Sequence, residues 1–174
     1  MKRLAAVAIV LAIGSVGCGS STSPSNTPPT KPTFTADLRT SNEVPPITGA
    51  EASGSGNATV TFDVTKDAAG NITAGTATFV VNLTGFPAGT PFNIAHIHQA
   101  GAGTNGAVVF STTLVAGEVS ANSAGSATFT KAGIAGDPAI MQAVINNPAG
   151  FYFNVHSTLN PGGVARGQLV KVGG

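Results

Sequence analysis

From Phe34 onward, apolar residues recur at every second position, in runs separated by clusters of Gly, Pro, Asn and Asp. Side chains alternate between the two faces of a β-strand, so a period of two marks strands with one face buried and the other left to solvent. Phe34, Ala36 and Leu38 alternate in this way, as do Ala58, Val60, Phe62 and Val64, then Ala77, Phe79, Val81 and Leu83. The stretch Asp67-Ala68-Ala69-Gly70-Asn71 joins the last two runs as a hairpin turn. Further strands are predicted over 92–98, 107–111, 126–130, 151–156 and 164–170, about eight in all. Regular turn spacing favours a sandwich or Greek-key barrel over βαβ units. One segment departs from the pattern. Asp137 followed by Pro138 is a helix N-cap with proline at the first helical position, and Ile140/Val144 and Met141/Ile145 repeat at i, i+4 before Asn146-Asn147-Pro148. The expectation is an all-β domain with one short helix at about 138–146, lying over one end of the sandwich.

Charge contributes little to this chain. Only 9% of the 174 residues are charged, against roughly a quarter in an ordinary domain, and eight Lys+Arg against seven Asp+Glu leave a net charge of +1. No stretch concentrates the basic residues, so DNA and RNA are not expected as partners. With 42% hydrophobic residues the chain is not of disordered type, and its length fits one domain. A single cysteine, Cys18, excludes an internal disulfide. Its surroundings assign it another role: Lys2 and Arg3 precede an apolar run from Leu4 to Ile13, and small residues follow, as in a secretory signal peptide over 1–17. Ser15-Val16-Gly17-Cys18 resembles the bacterial lipobox, with Ser15 where leucine is usual. The resemblance implies lipidation of Cys18, export, and anchoring in the cell envelope. Residues 18–32, rich in Ser, Thr and Pro, read as an extended, disordered tether, and the domain is expected over 33–172.

Three histidines fall in two predicted strands, Ala95-His96-Ile97-His98 and Asn154-Val155-His156. Residues i and i+2 of a strand project from one face about 6.5–7 Å apart, so His96 and His98 point the same way, opposite Ile97. In the second strand Phe151, Phe153 and Val155 share one face, which leaves Tyr152, Asn154 and His156 on the other, polar face. If the strands are neighbours, the three imidazoles meet. Such a set suits copper or zinc, with a fourth position for Glu43, an Asp or water. The other reading of the same residues is structural: histidines that hydrogen-bond to loops, with Tyr152 and Asn154 as partners and no metal. The glycines of Gln99-Ala100-Gly101-Ala102-Gly103-Thr104-Asn105-Gly106 have no downstream Lys-Ser/Thr and no helix, so they do not form a phosphate loop. They are expected to form a mobile hairpin loop beside the histidines.

Four motifs then carry a resemblance. Asn42-Glu43-Val44-Pro45-Pro46, Ala95-His96-Ile97-His98, Phe151-Tyr152-Phe153-Asn154-Val155-His156-Ser157 and Pro161-Gly162-Gly163-Val164-Ala165-Arg166-Gly167-Gln168-Leu169 resemble the CHRD (chordin) domain, in the family's order, from about Phe34 to Lys171. Ser157 stands where the family usually has Thr, and Ala165 where Glu often precedes Arg. The resemblance implies an extracellular binding module without general enzymatic activity, with a protein or glycan as ligand. It also singles out Glu43 and Arg166, either as a bidentate pair organising the site or as a surface ion pair. The histidine segments are similar, more weakly, to Cu/Zn superoxide dismutase, but this chain has no second histidine cluster and no disulfide pair, so dismutase activity is not expected. The architecture expected is accordingly a Greek-key, immunoglobulin-like or superoxide-dismutase-like β-sandwich. The function expected is that of an envelope-anchored binding module, the alternatives being a mononuclear copper or zinc protein and a structural surface protein.

Overall fold

The computed structural model describes residues 31–173. The predicted signal peptide, Cys18 and residues 18–30 of the predicted tether lie outside the described residues. In chain order the strands are β1 (Thr33–Arg39), β2 (Ser55–Lys66), β3 (Ile72–Thr84), β4 (Pro91–Gln99), β5 (Ala107–Ser111), β6 (Val119–Ser120) and β7 (Ala127–Ala135). Helix α1 (Pro138–Asn146) follows, then β8 (Phe151–Ser157), β9 (Ala165–Gln168) and β10 (Val170–Lys171). The protein is all-β with one short α-helix among the described residues.

The alternation works as elementary geometry requires. Phe34, Ala36 and Leu38 of β1, Ala58, Val60 and Phe62 of β2, and Ala77, Phe79, Val81 and Leu83 of β3 are all buried. The β2–β3 turn is held by Asp67, whose side chain accepts from the Ala69 and Asn71 backbone N–H groups, and Gly70 takes the positive φ (87°) that the turn needs. Asp137 caps α1 by accepting from Ala139 N–H at 2.7 Å, and Met141 and Val144 bury the inner side of the helix. Gly75 of β3 lets the helix approach: a Cβ there would meet the Met141 sulfur at 2.6 Å.

Two features differ from the expectation. Among the described residues there are ten strands in place of about eight, because β6 adds a two-residue strand against β4, and the 164–170 run divides at the buried Leu169 into β9 and β10. They also form one continuous sheet, in the order β5-β4-β8-β9-β1-β2-β3-β7, with no break between two layers. The last run makes the join, since β9 pairs with β8 on one side and meets β1 on the other through Arg39 opposite Arg166. The sheet curls so that its two halves face each other. Phe79 of β3 touches Phe110 of β5 and Phe153 of β8, with ring centroids 5.4 and 6.0 Å apart, and Phe62 of β2 stacks on Phe110 at 6.1 Å. The core lies between the halves, as in a sandwich.

Candidate metal centre

β4 and β8 are antiparallel neighbours, with His96 opposite Asn154, His98 opposite Tyr152 and Ile94 opposite His156. Ile97 and Phe153, at the intervening positions, enter the core. Alternation therefore sends His96, His98, Tyr152, Asn154 and His156 to the outer side of the sheet. One ligand atom from each of the three histidines lies within 4.8 Å of the other two. The structure thus brings all three together. Glu43 is not in this group, and among the described residues the three histidines have no fourth side-chain ligand.

Over β8 the outer face is not a solvent face. All seven residues of β8 are buried, the polar ones as completely as the apolar ones. Three loop segments cover it. Asn42 donates to the Arg166 carbonyl at 3.0 Å, Gly106 N–H donates to the Tyr152 hydroxyl at 3.2 Å, and the 157–163 turn closes over His156. The glycine-rich segment expected as a mobile hairpin loop is part of this cover. His98 and His156 are buried beneath it, and His96 is half-buried.

Two backbone carbonyls decide the chemistry of the cluster. His98 Nδ1 lies 3.0 Å from the Gly106 carbonyl and His156 Nδ1 lies 2.9 Å from the Pro161 carbonyl. A carbonyl only accepts, so each Nδ1 carries the proton, and in a neutral ring Nε2 is left with a lone pair. Those two Nε2 atoms, with His96 Nδ1, are buried and have no hydrogen-bond partner among the described residues. Burial pushes all three histidines below the usual imidazole pKa, His96 to about 4, with the charges on His156 and His98 adding to the effect there. At neutral pH the site is therefore a set of neutral imidazoles, the form that binds metal. Tetrahedral zinc with bonds of about 2.0–2.1 Å holds nitrogen pairs about 3.4 Å apart, so the rings need to draw in by about 1.4 Å or less. The hydrogen bonds expected to Tyr152 and Asn154 are not what hold the histidines. Tyr152 instead stacks on His98, with centroids 4.8 Å apart and planes at 8°.

Glu43 and Arg166 form neither a bidentate pair nor a surface pair. They are 5% and 3% exposed, and Arg166 Nε stands 3.9 Å from the Glu43 carboxylate. The guanidinium is committed elsewhere: Nε donates to the Asn42 carbonyl at 2.6 Å and Nη1 to Asn105 Oδ1 at 2.8 Å, while the group lies 4.7 Å over the Tyr152 ring. Burial raises the Glu43 pKa to about 7, against the opposing pull of Arg166 and of the nearby Asn154 side chain. Two clefts of about 420 and 410 Å³ flank the segment that begins at Glu43, one lined also by Arg166 and the other by Gly163. Neither is lined by a histidine.

Sequence reasoning missed Glu51. It is 3% exposed and accepts from Ser157 Oγ at 2.7 Å and from the Asn160 side chain, 106 and 109 residues away in the chain. The scarcity of acidic residues was the one signal that could have drawn attention to it. Comparison with known families places these observations: the CHRD domain model matches residues 34–169, and the chain belongs to that family. A search of curated proteins found no match.

Proposed function

Taking membership of the CHRD domain family as the premise, we propose that this chain is a binding module whose ligand is one transition-metal ion, copper or zinc, held by His96, His98 and His156. The observation that carries the reading is the set of three buried, partnerless ring nitrogens, one on each histidine. A bracing role accounts only for the two Nδ1 atoms on carbonyls; it leaves the other faces of those rings, and His96 Nδ1, without purpose. A buried polar atom without a partner costs about 1–3 kcal/mol, and with one ligand atom of each histidine within 4.8 Å of the other two the cluster favours a cation. A histidine that donates its second N–H to a carbonyl is the usual arrangement of a metal ligand. His96, His98 and His156 would hold the ion, which would supply Lewis acidity or, for copper, one-electron chemistry, with water or an external ligand as a further partner. The family supports binding as the role, with no catalytic step assigned.

The same proposal places the module outside the cytoplasm, lipid-anchored through Cys18, on the strength of the charged and apolar leader and the lipobox-like Ser15-Val16-Gly17-Cys18. Chelator-treated protein titrated with Cu(II) or Zn(II) should take up one equivalent and gain thermal stability with ion concentration, and a His96→Ala/His98→Ala variant should do neither. Absence of any metal-dependent shift in the wild type at micromolar ion would overturn the reading. A Cys18→Ser variant should leave the membrane fraction; one that stays there refutes the anchor.

A further inference from the structure

The two carbonyls that orient His98 and His156 sit on loops, and a loop carbonyl directs a histidine only if something holds the loop. The 157–163 turn is held by Glu51. This carboxylate is buried and is absent from the ion pairs among the described residues, an expensive placement for an acidic group that serves only packing. Its partners are Ser157 Oγ and the Asn160 side chain. Ser157 Oγ in turn accepts from Asn160 N–H at 3.0 Å, and Gly163 N–H closes the turn on the Asn160 carbonyl at 3.1 Å. Pro161, whose carbonyl takes the His156 proton, lies between those fixed points.

The 101–106 loop is held by Arg166. Its Nη1 reaches Asn105 Oδ1 at 2.8 Å and the Thr104 carbonyl at 3.4 Å, immediately before Gly106, whose carbonyl takes the His98 proton. The same guanidinium presses on Tyr152, which stacks on His98. We infer that Glu51 and Arg166 are positioning residues that set which ring nitrogen is left free on His156 and on His98 respectively, each by fastening the loop that carries the accepting carbonyl. Two buried side chains from distant parts of the chain thereby leave one nitrogen free on each of two neighbouring rings. The metal affinity that follows rests on the function proposed above, whereas the tautomers are defined with or without an ion.

The test is imidazole nitrogen NMR on chelator-treated, labelled protein, in which the two ring nitrogens report which of them carries the proton. Wild-type His98 and His156 should both be Nδ1–H. Glu51→Gln and, as the milder change, Ser157→Ala should give mixed tautomers at His156 and leave His98 as it was; Ser157→Thr, which keeps the hydroxyl, should restore the wild-type pattern. Arg166→Lys should do the reverse, disturbing His98 alone. Zinc affinity should fall about tenfold in Glu51→Gln and Arg166→Lys, the lower end of what losing a ligand's own hydrogen-bond partner does. Folded Glu51→Gln and Ser157→Ala variants with the wild-type pattern overturn the inference, as does disturbance of both histidines by either change. Selective tautomer changes in a protein that takes up no zinc support the two fasteners and overturn the metal reading alone.

Discussion

At the scale of single residues, the groups on the outer face of β4, β8 and β9 are governed by burial more than by one another. Each imidazole has its pKa lowered first by desolvation, and Glu43 has its raised by the same cause. The signs then oppose. A histidine titrating at about 4 when folded and about 6.5 when unfolded contributes stability that is complete above 6.5 and is lost as pH falls toward 4. Glu43, raised from 4.5 to about 7, contributes stability that is complete below 4.5 and is lost as pH rises through 7. Between about 4.5 and 6.5 the two slopes partly cancel. Glu43→Gln removes one of them, so its stability should fall more steeply on acidification than that of the wild type. Denaturant unfolding of both proteins in chelator, across that range, measures the difference; parallel profiles would contradict the assignment of Glu43. Gly163 belongs to the same layer: at φ 133° its absent side chain leaves room for the Asn154 amide and the Glu43 carboxylate.

At the scale of elements, local chemistry explains what local pattern announced. The Asp67 turn and the Asp137 cap were readable because each uses a side chain that bonds to backbone within a few residues of itself. Removing the cap by Asp137→Ala should cost about 1 kcal/mol in equilibrium unfolding, since Ala139 N–H loses its partner while α1 keeps its buried Met141 and Val144. An unchanged midpoint would show that packing on β3 alone sustains the helix. The 101–106 loop shows the opposite case. Its glycines announced a turn, but the partners that give it a role, Arg166 and Tyr152, are about 46 to 62 residues away in sequence. No local pattern records such contacts.

At the scale of the whole molecule, one curled sheet carries both the core and the site. Phe79 bridges the halves through Phe110 and Phe153, on the face of β4, β5 and β8 opposite the histidines. Phe79→Ala should therefore cost about 3–5 kcal/mol and lower the midpoint for the entire domain in one transition. Loss of only part of the β-signal at the first midpoint would indicate halves that unfold separately. What the amino-acid order determined by itself was whatever repeats over short distances: the strands with their inward Phe, Val and Leu, the capped helix, and the pairing of His96 with His98 on one side of a strand. The tertiary structure alone decided that β4 lies beside β8, that a run expected as one strand joins the halves into a single sheet, and that the polar outer face is roofed by loops. It also decided which ring nitrogen is free on His98 and on His156, because that depends on carbonyls whose loops are fastened by Arg166 and Glu51 from over 60 residues away. The physical reason is range. Alternation and capping are written in neighbouring residues, whereas desolvation and hydrogen bonding in the roofed layer arise only when distant segments exclude water together.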